Sequence, residues 1–152
     1  MKIGSALYFD HQASTPVDER VLAEMRPYLE EGCGNPHAGD HIFGWRAAQA
    51  IEKAAGQVGA LIGADADEVI WTAGATEANN LALLGLARAQ TGNRHRILLG
   101  AAEHKSILAV GRALASQLGL SVELLPVDAN GHVEQEILEQ KIDNDVLAVS
   151  VN

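Results

Sequence analysis

Two short stretches carry residue types that can do chemistry. The first is Thr72–Asn80 (Thr-Ala-Gly-Ala-Thr-Glu-Ala-Asn-Asn), between the apolar run Glu68–Thr72 and the Ala/Leu-rich segment Asn80–Ala87. A strand, a tight turn of small residues and a helix is the reading of that pattern. Such a turn presents free backbone N–H groups at the positive end of a helix, where a phosphate binds well. Thr76 adds a hydroxyl donor at the helix start. The plainer reading keeps Gly74 as a tight turn and Thr76 as an N-cap. The second stretch is Glu103-His104-Lys105, directly after the apolar run Ile97–Gly100. An imidazole is flat and moves protons near neutrality; alternatively, His104 is a solvent-facing residue at a helix start.

Around these lie Tyr8–Asp18, Gly34-Asn35-Pro36 and His41–Gly44. Asn35 before a proline suits an Asx-turn. His37 and His41 have a four-residue spacing with Asp40 adjacent, but Pro36 and Gly39 break the segment, and that spacing makes a metal pair only on a helix. Zinc is therefore not expected.

In this order the five motifs resemble the cysteine desulfurases, class V, fold-type-I enzymes that use pyridoxal 5'-phosphate (PLP), and within them the subgroup that supplies iron–sulfur cluster assembly. The resemblance runs over essentially all 152 residues. It implies that Ala75 and Thr76 hold the cofactor phosphate. It implies that His104 stacks on the pyridine ring and takes part in proton transfer, and that Asn35 lies near the substrate carboxylate. Ser14 stands in the opening signature where threonine is usual, a mild exchange. The family's aspartate at the pyridine nitrogen, its Schiff-base lysine in a Ser-x-His-Lys segment, its substrate-binding arginine and its reactive cysteine come later, and none is matched here. Lys105 is not the lysine that the family uses, and Cys33 is not its nucleophile. The role of an Asn-Asn-Glu asparagine is not carried onto Asn152.

What the resemblance implies is the N-terminal portion of an enzyme converting L-cysteine to L-alanine. Its sulfur would leave as a persulfide for a scaffold or acceptor protein. An isolated chain of this kind is expected to be inactive. The alternative is a truncated, non-catalytic domain that binds a partner or a phosphorylated ligand. An ordinary nucleotide-binding domain is disfavoured, because neither G-x-G-x-x-G nor G-x-x-x-x-G-K-[ST] is present.

The elements that must position these residues follow from periodicity. Residues 18–31 read as a helix with Val21, Met25 and Leu29 on one face, started after Pro16 and kinked or shortened at Pro27. Phe43–Ile62 is expected to be the longest helix, with Ala47, Ile51, Ala54, Val58 and Leu61 recurring at helical steps. Strands Val69–Thr72, Ile97–Gly100, Val122–Pro126 and Val146–Val151 then alternate with helices near Glu77–Gln90, Lys105–Gln117 and Glu134–Ile142. This predicts an α/β fold, a mainly parallel sheet with helices on both faces, with ligands at the carboxyl ends of the strands. Two parts are expected: residues 1–45 as N-terminal arm and active-site loop, and 46–152 as an incomplete large cofactor-binding domain.

A hydrophobic content of 47% supports a real core. The net charge of −9 and pI near 5.0 argue against nucleic acid or an anionic membrane as partner. No signal peptide or membrane span is recognisable, so a cytoplasmic protein is the default. Cys33, the one cysteine, excludes an intrachain disulfide. Ending on the apolar strand Val146–Val151 suggests a fragment or one half of a split enzyme. It is expected to associate with itself, as the family's homodimers do, or with a chain carrying the missing half.

Overall fold

The computed structural model describes residues 2–151, so Asn152 lies outside it. The chain forms two compact units, Met1–Ile70 and Trp71–Asn152.

In the first unit, the two-residue strands β1 (Lys2–Ile3) and β2 (Ala6–Leu7) pair antiparallel. Helix α1 spans Glu19–Glu30 and starts on Asp18, whose carboxylate accepts from Arg20 N. Pro27 does not end it. Pro27 sits in the last turn, where only the Ala23 carbonyl loses its donor, and its own carbonyl closes the helix by accepting from Glu31 N and Gly32 N. Helix α2 spans Ile42–Ile62, starts on the His41 ring, which accepts from Gly44 N, and stops at Gly63 in the left-handed conformation (φ 73°). The loop before it lies close on the helix. A Cβ on Gly44 would overlap the Ala38 carbonyl, and Trp45 Nε1 donates to Gly39 O. Both helices keep their expected stripes, yet Val21, Met25, Leu29, Ile51, Val58 and Leu61 are all exposed. Periodicity marks which face can be buried, not whether something covers it. A 3₁₀ turn at Ala66–Glu68 follows.

The second unit holds the sheet. Helix α3 (Ala75–Ala89) leads to β3 (Arg96–Gly100), α4 (Lys105–Leu118), β4 (Ser121–Leu125), α5 (Gln135–Lys141) and β5 (Val146–Ser150). The strand order is β4-β3-β5, all parallel. Ile97 and Leu99 face α3 and α4, forming a core with Leu83, Ile107, Val110, Leu114 and Leu120. Leu98 faces the other way, with Leu125, Val146 and Leu138 of α5. Helices therefore cover both faces, as expected. The expected strand Val69–Thr72 is a correction. Val69 is extended, but the stretch belongs to no ladder, with Ile70 and Trp71 exposed. High β-propensity makes a strand only where a neighbouring strand accepts its hydrogen bonds, and none does so among the described residues.

On the α5 face an ion cluster closes the sheet. Arg96 bonds Glu123 (2.7 Å) and Asp143 (2.5 Å), and Lys141 bonds Glu123 (2.8 Å). Lys141, and then Arg96, hold the Glu123 carboxyl below its ordinary value. A depressed carboxyl contributes stability above its unfolded value, and that contribution is lost as pH falls through the folded value. Glu123→Gln should therefore lower the melting temperature at neutral pH, by no more than about 4 °C for so wet a cluster. The penalty should shrink in thermal scans as pH falls through the lowered value of the parent carboxyl.

The first unit offers a second check. Gly44→Ala forces the Ala38 backbone away from α2 and should destabilise by about 1–3 kcal/mol. Gly56→Ala, in the same helix with no atom within 4 Å of the added carbon, should stabilise by up to about 1 kcal/mol. Hydrogen exchange across 42–62 separates the two.

Candidate functional site

Helix starts are capped by side chains in most of this protein. Asp18 caps α1, His41 caps α2, and His104 caps α4. Helix α3, like the short α5, has no side-chain cap. Its N-cap is Gly74, which has no side chain to offer, and its first helical hydrogen bond is Ala78 N to Gly74 O (3.1 Å). The N–H groups of Ala75, Thr76 and Glu77 are thus left without acceptors among the described residues. The one nearby carboxylate, Glu77, turns back to accept from Ala73 N (2.7 Å). Thr72 Oγ1 donates to Gly74 O (3.2 Å), holding the turn.

These groups border an open concavity lined by Ala73, Gly74, Ala75, Thr76, Glu77 and Asn80. A Cβ built on Gly74 would meet no atom within 4 Å, so the space before the turn is clear. The Thr76 hydroxyl has no partner among the described residues. Three N–H donors and one hydroxyl at the positive end of a 15-residue helix form a donor set suited to an anionic ester.

His104 lies in the same unit, as N-cap of α4, after the carboxyl end of β3. It does not line the concavity itself. Its Nδ1 accepts from Ser106 N (3.2 Å) and bonds Ser106 Oγ (2.9 Å), and Ser106 in turn bonds Asn79 Nδ2 (3.1 Å) on α3. Since α3 and α4 share the Ile97/Leu99 face of the sheet, the imidazole and Thr76 belong to the same side. Glu103 is held separately, accepting from the Ser150 hydroxyl at the end of β5 (2.6 Å). Lys105, next in chain, is exposed.

Asn35 sits in the first unit and makes the Asx-turn, its Oδ1 accepting from His37 N (3.0 Å). Its Nδ2 has no partner among the described residues. His41 is the α2 cap, and Cys33 is exposed in the loop between α1 and α2. Asn79 and Ser106 were not singled out from the sequence. Ser106 two residues after His104 fits a helix-capping turn, but nothing in the chain marks its pairing with a residue 27 positions earlier.

Comparison with known proteins gives the family and the fold. The sequence profile described as aminotransferase class-V matches residues 7–152. The chain is 43% identical over 145 residues to "Cysteine desulfurase IscS" of Rickettsia bellii, covering 95% of this chain and 35% of that protein. Against "Cysteine desulfurase, mitochondrial" of Drosophila melanogaster the identity is 45% over 148 residues, covering 97% and 32%. Among solved structures, a "NifS-like protein" superposes with a TM-score of 0.84 at 36% identity, covering 94% of this chain and 39% of that one. "SspA in complex with cysteine" superposes with 0.82 at 34% identity, covering 93% and 40%. The chain thus spans about a third of the length of the curated relatives it matches. With its profile match across nearly the whole sequence, this chain belongs to the class-V aminotransferase family.

Proposed function

We propose that this chain supplies the phosphate-binding and ring-stacking part of a PLP-dependent cysteine desulfurase. The observation that carries the reading is the uncapped start of α3, where the Ala75, Thr76 and Glu77 N–H groups and the Thr76 hydroxyl face a clear space. Ala75 and Thr76 would hold the phosphate. His104, fixed to Ser106 through Nδ1, would offer its flat ring to the pyridine and exchange protons there. Asn35 Nδ2 would donate to the carboxylate of L-cysteine, while its Oδ1 stays in the Asx-turn. When bound, PLP supplies an electron-withdrawing ring that stabilises negative charge developing on the substrate.

Residues 1–45 would act as arm and active-site loop, and 46–152 as part of the cofactor-binding domain. The Schiff-base lysine and the sulfur-accepting cysteine would come from sequence not present in this chain. L-cysteine, a sulfur-accepting protein, and a second copy or a completing chain are the proposed partners. L-alanine would be the second product.

Titration of the ¹⁵N-labelled chain with PLP tests the phosphate site. The amides of Ala75, Thr76 and Glu77 and the His104 ring should shift together, and inorganic phosphate should reproduce the amide shifts alone. Thr76→Val, which keeps the shape and removes one charge-assisted donor, should weaken PLP binding about tenfold. Unchanged affinity, or amide shifts elsewhere, would remove the basis of the assignment. In a turnover assay with L-cysteine and PLP, the purified chain should release neither sulfide nor alanine. Steady release would mean that Lys105 or another residue here does the chemistry.

A further inference from the structure

We propose that Asn79 and Ser106 are positioning residues that fix the tautomer and orientation of His104, and so decide which ring nitrogen faces a ligand. The argument starts from a donor whose role cannot change. A backbone N–H only donates, and Ser106 N lies 3.2 Å from His104 Nδ1, so Nδ1 carries a lone pair and no proton. The Ser106 hydroxyl, 2.9 Å from the same atom, must then donate to it as well. With its hydrogen so committed, Oγ presents lone pairs, and one of them accepts from Asn79 Nδ2 at 3.1 Å. The polarity runs one way, from the Asn79 amide through the Ser106 hydroxyl to the imidazole.

Two consequences follow. The neutral ring is the Nε2–H tautomer, and because Nδ1 faces the buried Ser106, Nε2–H is directed away from it as a donor. The bond from Asn79 to Ser106 also ties the second turn of α3 to the first turn of α4. Asn79 is three residues along α3 from Thr76, one turn past the uncapped N–H groups. The donor set at the start of α3 and the imidazole at the start of α4 are thereby held at one spacing. Ser106 is 7% exposed, so the link is shielded from competing water. This inference rests on the proposed role of His104, but it concerns the protein's own hydrogen bonds and is measurable without cofactor.

The experiment is ¹⁵N NMR of the imidazole in the ligand-free chain at about pH 9, where an imidazole is neutral. The parent chain should show Nε2–H favoured over Nδ1–H by about tenfold or more. Asn79→Asp keeps the shape but replaces the amide donor with an acceptor. The Ser106 hydroxyl should turn to the carboxylate, and the Nδ1–H fraction should rise about threefold or more. Ser106→Ala leaves only the backbone donor and should give a smaller rise with a more mobile ring. If Asn79→Asp does not fold, Ser106→Ala carries the test, since it removes one oxygen without adding charge. A parent ring in the Nδ1–H form, or the same tautomer ratio in parent and variants, overturns the proposal. Failure of PLP to bind, together with the expected tautomer changes, would sink the functional reading and leave this one standing.

Discussion

Ile97, Leu98 and Leu99 are consecutive residues with essentially no exposure to water, and the rest of the second unit is organised by that constraint. A strand alternates its side chains, so burying three in a row requires cover on both faces. Helices α3 and α4 cover Ile97 and Leu99, and α5 covers Leu98. Parallel pairing on both sides satisfies the β3 backbone. Each such side chain contributes on the order of 1.5–3 kcal/mol from burial, and among the described residues no other segment has three in succession.

Placing β3 at the centre of the order β4-β3-β5 also places the chemistry. The chain leaves the end of β3 toward Glu103 and His104, which begin α4 on the face that α3 already occupies. Two helix starts therefore share one face of the sheet: one left open by a glycine cap, the other closed by a histidine. That difference in capping separates a place suited to an anion from a place that holds an imidazole in one orientation. The ion cluster of Arg96, Glu123, Lys141 and Asp143 works on the opposite face, where it fastens the α5 side of the sheet and leaves the helix starts of the first face unencumbered.

The first unit shows what periodicity does not supply. The stripes on α1 and α2 were legible at Val21, Met25, Leu29, Ile51 and Val58, and both helices form over nearly the expected spans. None of those side chains is buried. What orders this unit is local and polar: the Asp18 and His41 caps, the Asn35 Asx-turn, and the contact of Gly44 with the Ala38 carbonyl. A helix cap acts over a few residues, whereas burial needs a partner surface that no residue pattern within the helix specifies.

Local order was written in the residues themselves. The alternation of strands and helices after Arg96, the glycine turn at Gly74 and the helix start at Lys105 all follow from spacing and side-chain chemistry over a few neighbours, whereas α3 starts at Ala75, two residues before the expected Glu77. The candidates Ala75, Thr76 and His104 stood out by the family resemblance of their short motifs, since small residues before a helix and a histidine after a strand are weak signals by themselves. Long-range pairing was decided only by the tertiary structure. It left Val69–Thr72 outside any ladder, since strand identity depends on a neighbour and not on apolar content. It also joined Asn79 to Ser106 across 27 residues, which engages the hydroxyl that bonds the His104 ring. Hydrogen-bond polarity passes through space from atom to atom, and a linear sequence carries no record of which atoms will meet.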